Sequence, residues 1–205
     1  KIAKRIGTFD VMKIQKKGGT RDAVQVYANG FMALLAGLLY ALNPSIPFLV
    51  MFGSAVGEAA SDTFASEVGI LSKTKPVSII TGRPMTPGLS GAVSPLGLAS
   101  GLLGAVLIGL CFWGCFLPIT PKSAAYASVV ALSSFFCCLI DSVLGATLQA
   151  HYYDEVNDRI TERSEVDGRT LPLERGIRWI DNDMVNFMSN VIAAVFGMSM
   201  SLLVG

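Results

Sequence analysis

Glu58, Asp62 and Glu67 place three carboxylates in one short segment whose approach, Ile46 to Val56, is almost wholly apolar. A charged side chain at bilayer depth costs at least about 2.5–3.5 kcal/mol, so such a group is expected to have a partner or a chemical task. Glu58 and Asp62 are four residues apart and therefore stack on one helix face. No Lys or Arg lies in the segment to neutralise them, which makes a bound cation the simplest account. Asp141 and Asp183 add two more acids in apolar surroundings. Oxygen donors without Cys or His suit hard cations, and Mg2+ takes one or two carboxylates together with substrate phosphates. Glu58, Asp62, Asp141 and Asp183 are thus the expected metal ligands. Glu67, nine residues beyond Glu58, turns to the opposite side of an ideal helix and is expected near the headgroups or in a loop.

Asp183, Asn186 and Asn190 follow i, i+3, i+7 spacing and form a polar stripe. Their amides can ligate a metal or donate to phosphate oxygens. They can equally hold helices together. Upstream, Thr81-Gly82-Arg83-Pro84 and Pro87-Gly88-Leu89-Ser90-Gly91 punctuate a loop that also holds Lys73 and Lys75. Glycines let backbone N–H groups approach an anion, and the N-terminus of a following helix attracts one. The segment reads as a triphosphate cradle, with neither P-loop nor Rossmann spacing; turn formation alone is the competing account.

Conventional bases are scarce. His151 is the single histidine, and Cys111, Cys115, Cys137 and Cys138 lie in apolar runs as small buried hydrophobes. A phosphate acceptor arrives already anionic, so its phosphorylation depends on metal ions, positioning and cationic stabilisation. This residue inventory suits that chemistry.

The elements that must position these groups are membrane helices. Of 205 residues 52% are hydrophobic and 15% charged, with a mean hydropathy of +0.55; soluble domains carry roughly 25% charged residues. Apolar segments at Val24–Leu42, Ile46–Val68, Val93–Leu117, Ala124–Leu148 and Met184–Val204 each reach the roughly 20 residues needed to cross a bilayer as a helix. The expected fold is an all-α polytopic bundle, one transmembrane domain over 1–205 with at least five spans and further spans expected upstream of Lys1. Asn43-Pro44-Ser45 and Leu117–Lys122 make the short turns, and loops at about 69–92 and 151–183 the long ones. Of the 16 Lys and Arg residues all but Lys122 fall in the N-terminal arm or those long loops, which assigns that side to the cytosol. Odd spans then start, and even spans end, at the same face, so the unusual polar groups of all five converge in its half of the bundle.

The segments Gly57–Gly69, Asp141–Gln149 and Asn182–Asn186, with Gly18–Gly30 and Thr81–Ser94, resemble in order a family of polytopic membrane proteins that includes the phytyl-phosphate kinase of the tocopherol pathway. The resemblance covers essentially the whole chain. It implies transfer of phosphate from CTP to an isoprenyl monophosphate, giving the diphosphate, with Mg2+ held by Glu58, Asp62, Asp141 and Asp183. Asp62 and Asp141 would be catalytic, with Arg21 clamping the acceptor phosphate. Lys73, Lys75, Thr81, Gly82, Arg83, Gly88, Ser90, Gly91 and Asn186 would face the nucleotide. The lipid tail would lie between helices. Pro84 after Arg83, together with Leu89 and Ala92, departs from the fuller glycine-rich form of the loop. The partners implied are nucleotide, prenyl phosphate and membrane lipid, with no nucleic acid and with oligomerisation left open. The membrane would be the cell membrane in a bacterium or archaeon and the plastid envelope in a plant. Two alternatives stand beside this: a CTP:lipid-phosphate cytidylyltransferase, and a cation-coupled transporter relaying through Glu58, Asp62 and Asp141. One-sided clustering of the polar groups and the lack of internal repetition weigh against transport.

Overall fold

The structure is a computed structural model and describes residues 22–204, so Arg21 lies outside the described residues. Five long helices are present among them: α1 (Ala23–Leu42), α2 (Ile46–Gly69), α3 (Pro95–Phe116), α4 (Pro121–Thr147) and α5 (Asn182–Val204). Local chemistry sets their starts. Asp22 and Gln25 form a reciprocal capping box at α1. Ser94 caps α3 through the Gly97 amide, and Thr120 caps α4 through Ser123, each with proline at the first helical position. Asp181 Oδ1 accepts from the Met184 amide at 3.1 Å and caps α5.

By length and composition α1, α3, α4 and α5 are fit to cross a membrane, four helices where the sequence reading expects five. The exception is α2, whose 24 residues include all three acids of the opening motif. Its place in the bundle explains how it carries them: α2 packs against each of the other four helices. Its first half is apolar and joins both main core clusters. Leu49 and Val50 pack with Phe112, Tyr126, Ala127 and Val130, and Met51 and Ala55 with Met32, Ala36 and Ala194. The polar residues follow from Glu58 onward. Leu34, Leu38, Leu103, Leu110, Leu132, Phe136 and Leu203 are exposed on the outer helix faces, where lipid would cover them.

Small residues let the helices approach closely. The Ser61 hydroxyl donates to the Gly101 carbonyl at 2.9 Å across α2 and α3, and a Cβ on Gly101 would sit 3.2 Å from Ala65 Cβ.

The long loops are folded. Residues 77–93 contain the antiparallel pair β1 (Val77–Ser78) and β2 (Ala92–Val93). The 148–181 segment builds a three-stranded antiparallel sheet with β3 (His151–Asp154) between β4 (Arg159–Thr161) and β7 (Leu173–Arg175), plus the small ribbon β5 (Glu165–Val166) and β6 (Arg169–Thr170). Hydrophobic periodicity in the spans gives no sign of these strands. Leu171, Tyr152 and Ala150 form their core.

Candidate active site

Where α2, α4 and α5 meet, Gly57 brings α2 so close to α4 that a Cβ there would lie 2.1 Å from Ser134 Oγ. The next residue, Glu58, is 1% exposed. Its Oε1 lies 2.8 Å from Ser189 Oγ, and its Oε2 accepts from Asn190 Nδ2, also at 2.8 Å. Asn190 Nδ2 also reaches the Ala55 carbonyl at 2.8 Å. Asp141, two turns beyond Ser134 on α4, is buried too, and its Oδ2 lies 2.9 Å from the same Ser189 hydroxyl.

Asn186 extends the network. With its amide nitrogen facing the surrounding acceptors, it donates to Asp141 Oδ2 at 3.3 Å and to the Asn182 carbonyl at 3.1 Å, while its oxygen accepts from Asn29 Nδ2 at 3.3 Å. Four helices, α1, α2, α4 and α5, thereby contribute to one polar centre. Asp62 is half-buried one turn beyond Glu58, near enough that its charge repels both Glu58 and Asp141. Asp183 is buried at the start of α5, and Glu67 is exposed.

Glu58, Asp141 and Asn186 are therefore brought together as expected, with Asp62 beside them. They do not form a ready-made cage: among the described residues no three His, Cys, Asp or Glu side chains are grouped so as to hold a metal ion. The donor set that is present, two buried carboxylates from different helices flanked by Asp62 and two amides, fits a Mg2+ ion that completes its shell with phosphate oxygens and water.

The glycine-containing loop divides into two parts. Lys73, Lys75, Thr81, Gly82 and Arg83 are exposed, and Gly82 closes a turn by donating to the Ser78 carbonyl at 2.8 Å. The other part is docked on the bundle. Gly91 has φ +84°, and a Cβ there would fall 2.5 Å from Ala146 Cβ on α4. Ser90 gives both of its donors to Glu162, the amide at 2.9 Å and the hydroxyl at 2.7 Å. Ser90 and Gly91 thus fasten the two long loops to α4. Gly88, with φ +86°, lies between the two parts.

Glu162 is buried; burial pushes its carboxyl above the usual range, while the Ser90 bonds oppose that shift. Its charge is felt at Asp141, which ties the loop junction to the acid centre. His151, fully buried at the start of β3, is pushed down to about 4 by burial and by the Arg175 charge; its Nδ1–H donates to the Gln149 carbonyl at 2.9 Å.

Two central residues escape the sequence reading. Ser189 sits beside Asn190 and three residues after Asn186, so its position on the polar stripe was legible. Glu162, among the charges of a long loop, carries no local signal at all.

Residues 7–194 match the family described as integral membrane protein DUF92. The chain is similar to Protein PGR of Arabidopsis thaliana, with 29% identity over 87% of this chain and 68% of that protein. It is also similar to an uncharacterised membrane protein of Methanocaldococcus jannaschii, with 38% identity over 53% of this chain and 45% of the relative. A third relative, an uncharacterised membrane protein of Synechocystis, is 27% identical over 66% of this chain and 52% of its own length. The chain thus spans about half the length of the latter two. No solved structure matches. With nearly its whole length matched and its helices fit to cross a membrane, the chain belongs to the integral membrane DUF92 family.

Proposed function

We propose that this chain is a Mg2+-dependent phosphotransferase that moves the γ-phosphate of CTP to an isoprenyl monophosphate. The observation that carries the reading is the shared hydroxyl: Ser189 Oγ stands 2.8 Å from a Glu58 oxygen and 2.9 Å from an Asp141 oxygen. A hydroxyl has one hydrogen and can serve one of these acceptors at a time. Two carboxylates drawn together inside the bilayer region, with Asp62 repelling both, call for a cation. Glu58 and Asp141, with Asp62 beside them, would hold Mg2+, and Asn186 and Asn190 would orient the carboxylates. When bound, the ion would neutralise charge on the phosphates of donor and acceptor.

The remaining roles belong to the chain itself. An isoprenyl phosphate is already a nucleophile, which agrees with a site whose nearest histidine, His151, is buried and neutral. Lys73, Lys75 and Arg83, exposed on the neighbouring loop, would attract the nucleotide, and Arg21 would engage the acceptor. The apolar helix faces would receive the prenyl tail, and by the positive-inside rule the side bearing the basic loops would face the cytosol. The test is incubation of the full-length protein, reconstituted in liposomes, with Mg2+, CTP and a panel of isoprenyl monophosphates. Formation of prenyl diphosphate that stops on chelation is expected; absence of product with every acceptor contradicts the proposal.

A further inference from the structure

Beside the acid centre, in the folded 148–182 segment, lies a cavity of about 240 Å³ bordered by Gln149, Tyr152, Glu162, Ser164, Arg178 and Asn182. It is smaller than the roughly 300–1,000 Å³ of sites for drug-sized ligands. A nucleoside-sized group fits that scale better than a prenyl chain, and so does the mixed lining. Ala150, Tyr152 and Leu171 form one apolar wall. Opposite in character are two carboxylates, Glu162 and Asp181, two carboxamides and a guanidinium.

Gln149 is the telling residue. It is 1% exposed, it borders the cavity, and among the described residues neither its Oε1 nor its Nε2 reaches a hydrogen-bond partner. Its carboxamide lies beside Glu162 without completing a well-formed bond. Leaving a buried amide unpaired costs about 1–3 kcal/mol, so a donor–acceptor pair bordering a cavity marks a place where a ligand could complete it. Glu162 is similarly half-used: Ser90 occupies Oε1 alone.

We infer that this cavity receives the pyrimidine base of the nucleotide, cytosine in particular, with Gln149 and Glu162 reading its edge. The inference rests on the phosphotransferase reading above and assigns the donor's base within that same site. A cytosine edge offers an exocyclic amine as donor beside ring nitrogen and carbonyl acceptors. The Glu162 oxygen that Ser90 leaves would take the amine, a pairing for which carboxylates are suited. The Gln149 amide nitrogen would donate to an acceptor on the same edge. Uracil would turn a carbonyl toward the Glu162 carboxylate and be rejected. Arg178, exposed at the cavity rim, would meet phosphate.

The position suits the chemistry. Asn182 borders the cavity, its carbonyl accepts from Asn186, and Asn186 reaches Asp141. A nucleotide seated by its base here therefore has the acid centre one helical turn away along α5.

The experiment measures equilibrium binding of CTP and UTP, with Mg2+, to the full-length protein in nanodiscs, for wild type, Gln149→Ala and Glu162→Gln. Gln149→Ala leaves the Ser90–Glu162 bonds in place, so it reports on the cavity even if Glu162→Gln loosens the loops. The wild type should prefer CTP by tenfold or more, and each variant should cut that preference at least fivefold. CTP binding with unchanged preference in Gln149→Ala would overturn the base assignment and leave the phosphotransferase reading standing. Failure of the wild type to bind any nucleotide would overturn both.

Discussion

Glu58 on α2 and Asp141 on α4 are joined through one hydroxyl of a third helix, Ser189 of α5, at 2.8 and 2.9 Å. The residues are 83 positions apart in sequence, and among the described residues neither carboxylate has a Lys or Arg in its hydrogen-bond shell. This meeting point is what the functional proposal depends on.

Asp141→Asn and Glu58→Gln keep the shape of the side chains while removing charge. Each should lower Mg2+-dependent turnover by at least about 10²-fold, with folding preserved as judged by thermal unfolding in nanodiscs. Turnover within threefold of wild type in both variants would remove the metal site from the account.

Ser189→Ala tests the bridge itself. Loss of a donor shared by two buried carboxylates should cost about 1–3 kcal/mol of stability. Because it orients the ligands, its loss should also weaken the activating effect of Mg2+ roughly 10–100-fold. A Mg2+ titration of activity separates the two effects: a shifted half-saturation point is expected, and a wild-type titration with only a lowered melting temperature contradicts the bridging role.

Two glycines in the first long loop provide an internal control on how it docks. Both have positive φ, +66° at Gly82 and +84° at Gly91. A Cβ on Gly82 would meet nothing within 4 Å, whereas one on Gly91 would run into Ala146. Gly82→Ala should therefore cost only the backbone term of about 1–2 kcal/mol. Gly91→Ala should cost clearly more and detach the Ser90–Glu162 contact, seen as faster amide exchange at Ser90.

His151 sets an acid limit on the folded loop. Its native value of about 4 lies below the ordinary 6.5, so the unfolded chain binds more protons between those values. Stability from this group is complete above about pH 6.5 and declines as pH falls toward 4, by roughly 3 kcal/mol at most. Glu162 acts in the opposite sense: its raised value makes its contribution decline as pH rises. Comparing wild type with His151→Phe isolates the histidine. The variant should lose markedly less stability between pH 7 and pH 5, and parallel losses in the two proteins would contradict the assignment.

Much of this arrangement was legible in the sequence because membrane physics makes it so. Helix ends follow proline, glycine and cap residues such as Ser94 and Thr120, and the observed bounds fall within a few residues of the apolar runs. Burial of Glu58, Asp141 and Asn186 follows from their setting among apolar neighbours. Among the described residues all five expected apolar runs are long helices; α2 alone falls short of a span by composition, because it carries the acids, and it owes its place to the four helices around it. The sheet around β3 was hidden because short strands in a charged loop lack a long period. Glu162 and the cavity were hidden because they arise from contacts between segments about seventy residues apart, Ser90 and Glu162.

The central claim is phosphoryl transfer at the Glu58–Asp141 centre. The most direct measurement supplies the reconstituted protein with Mg2+, an isoprenyl monophosphate, and CTP labelled at either the α or the γ phosphorus. The account predicts lipid product labelled from the γ position alone, and none with Asp141→Asn. Label entering lipid from the α position would show cytidylyl transfer instead and contradict it, as would γ-labelled product from Asp141→Asn at the wild-type rate.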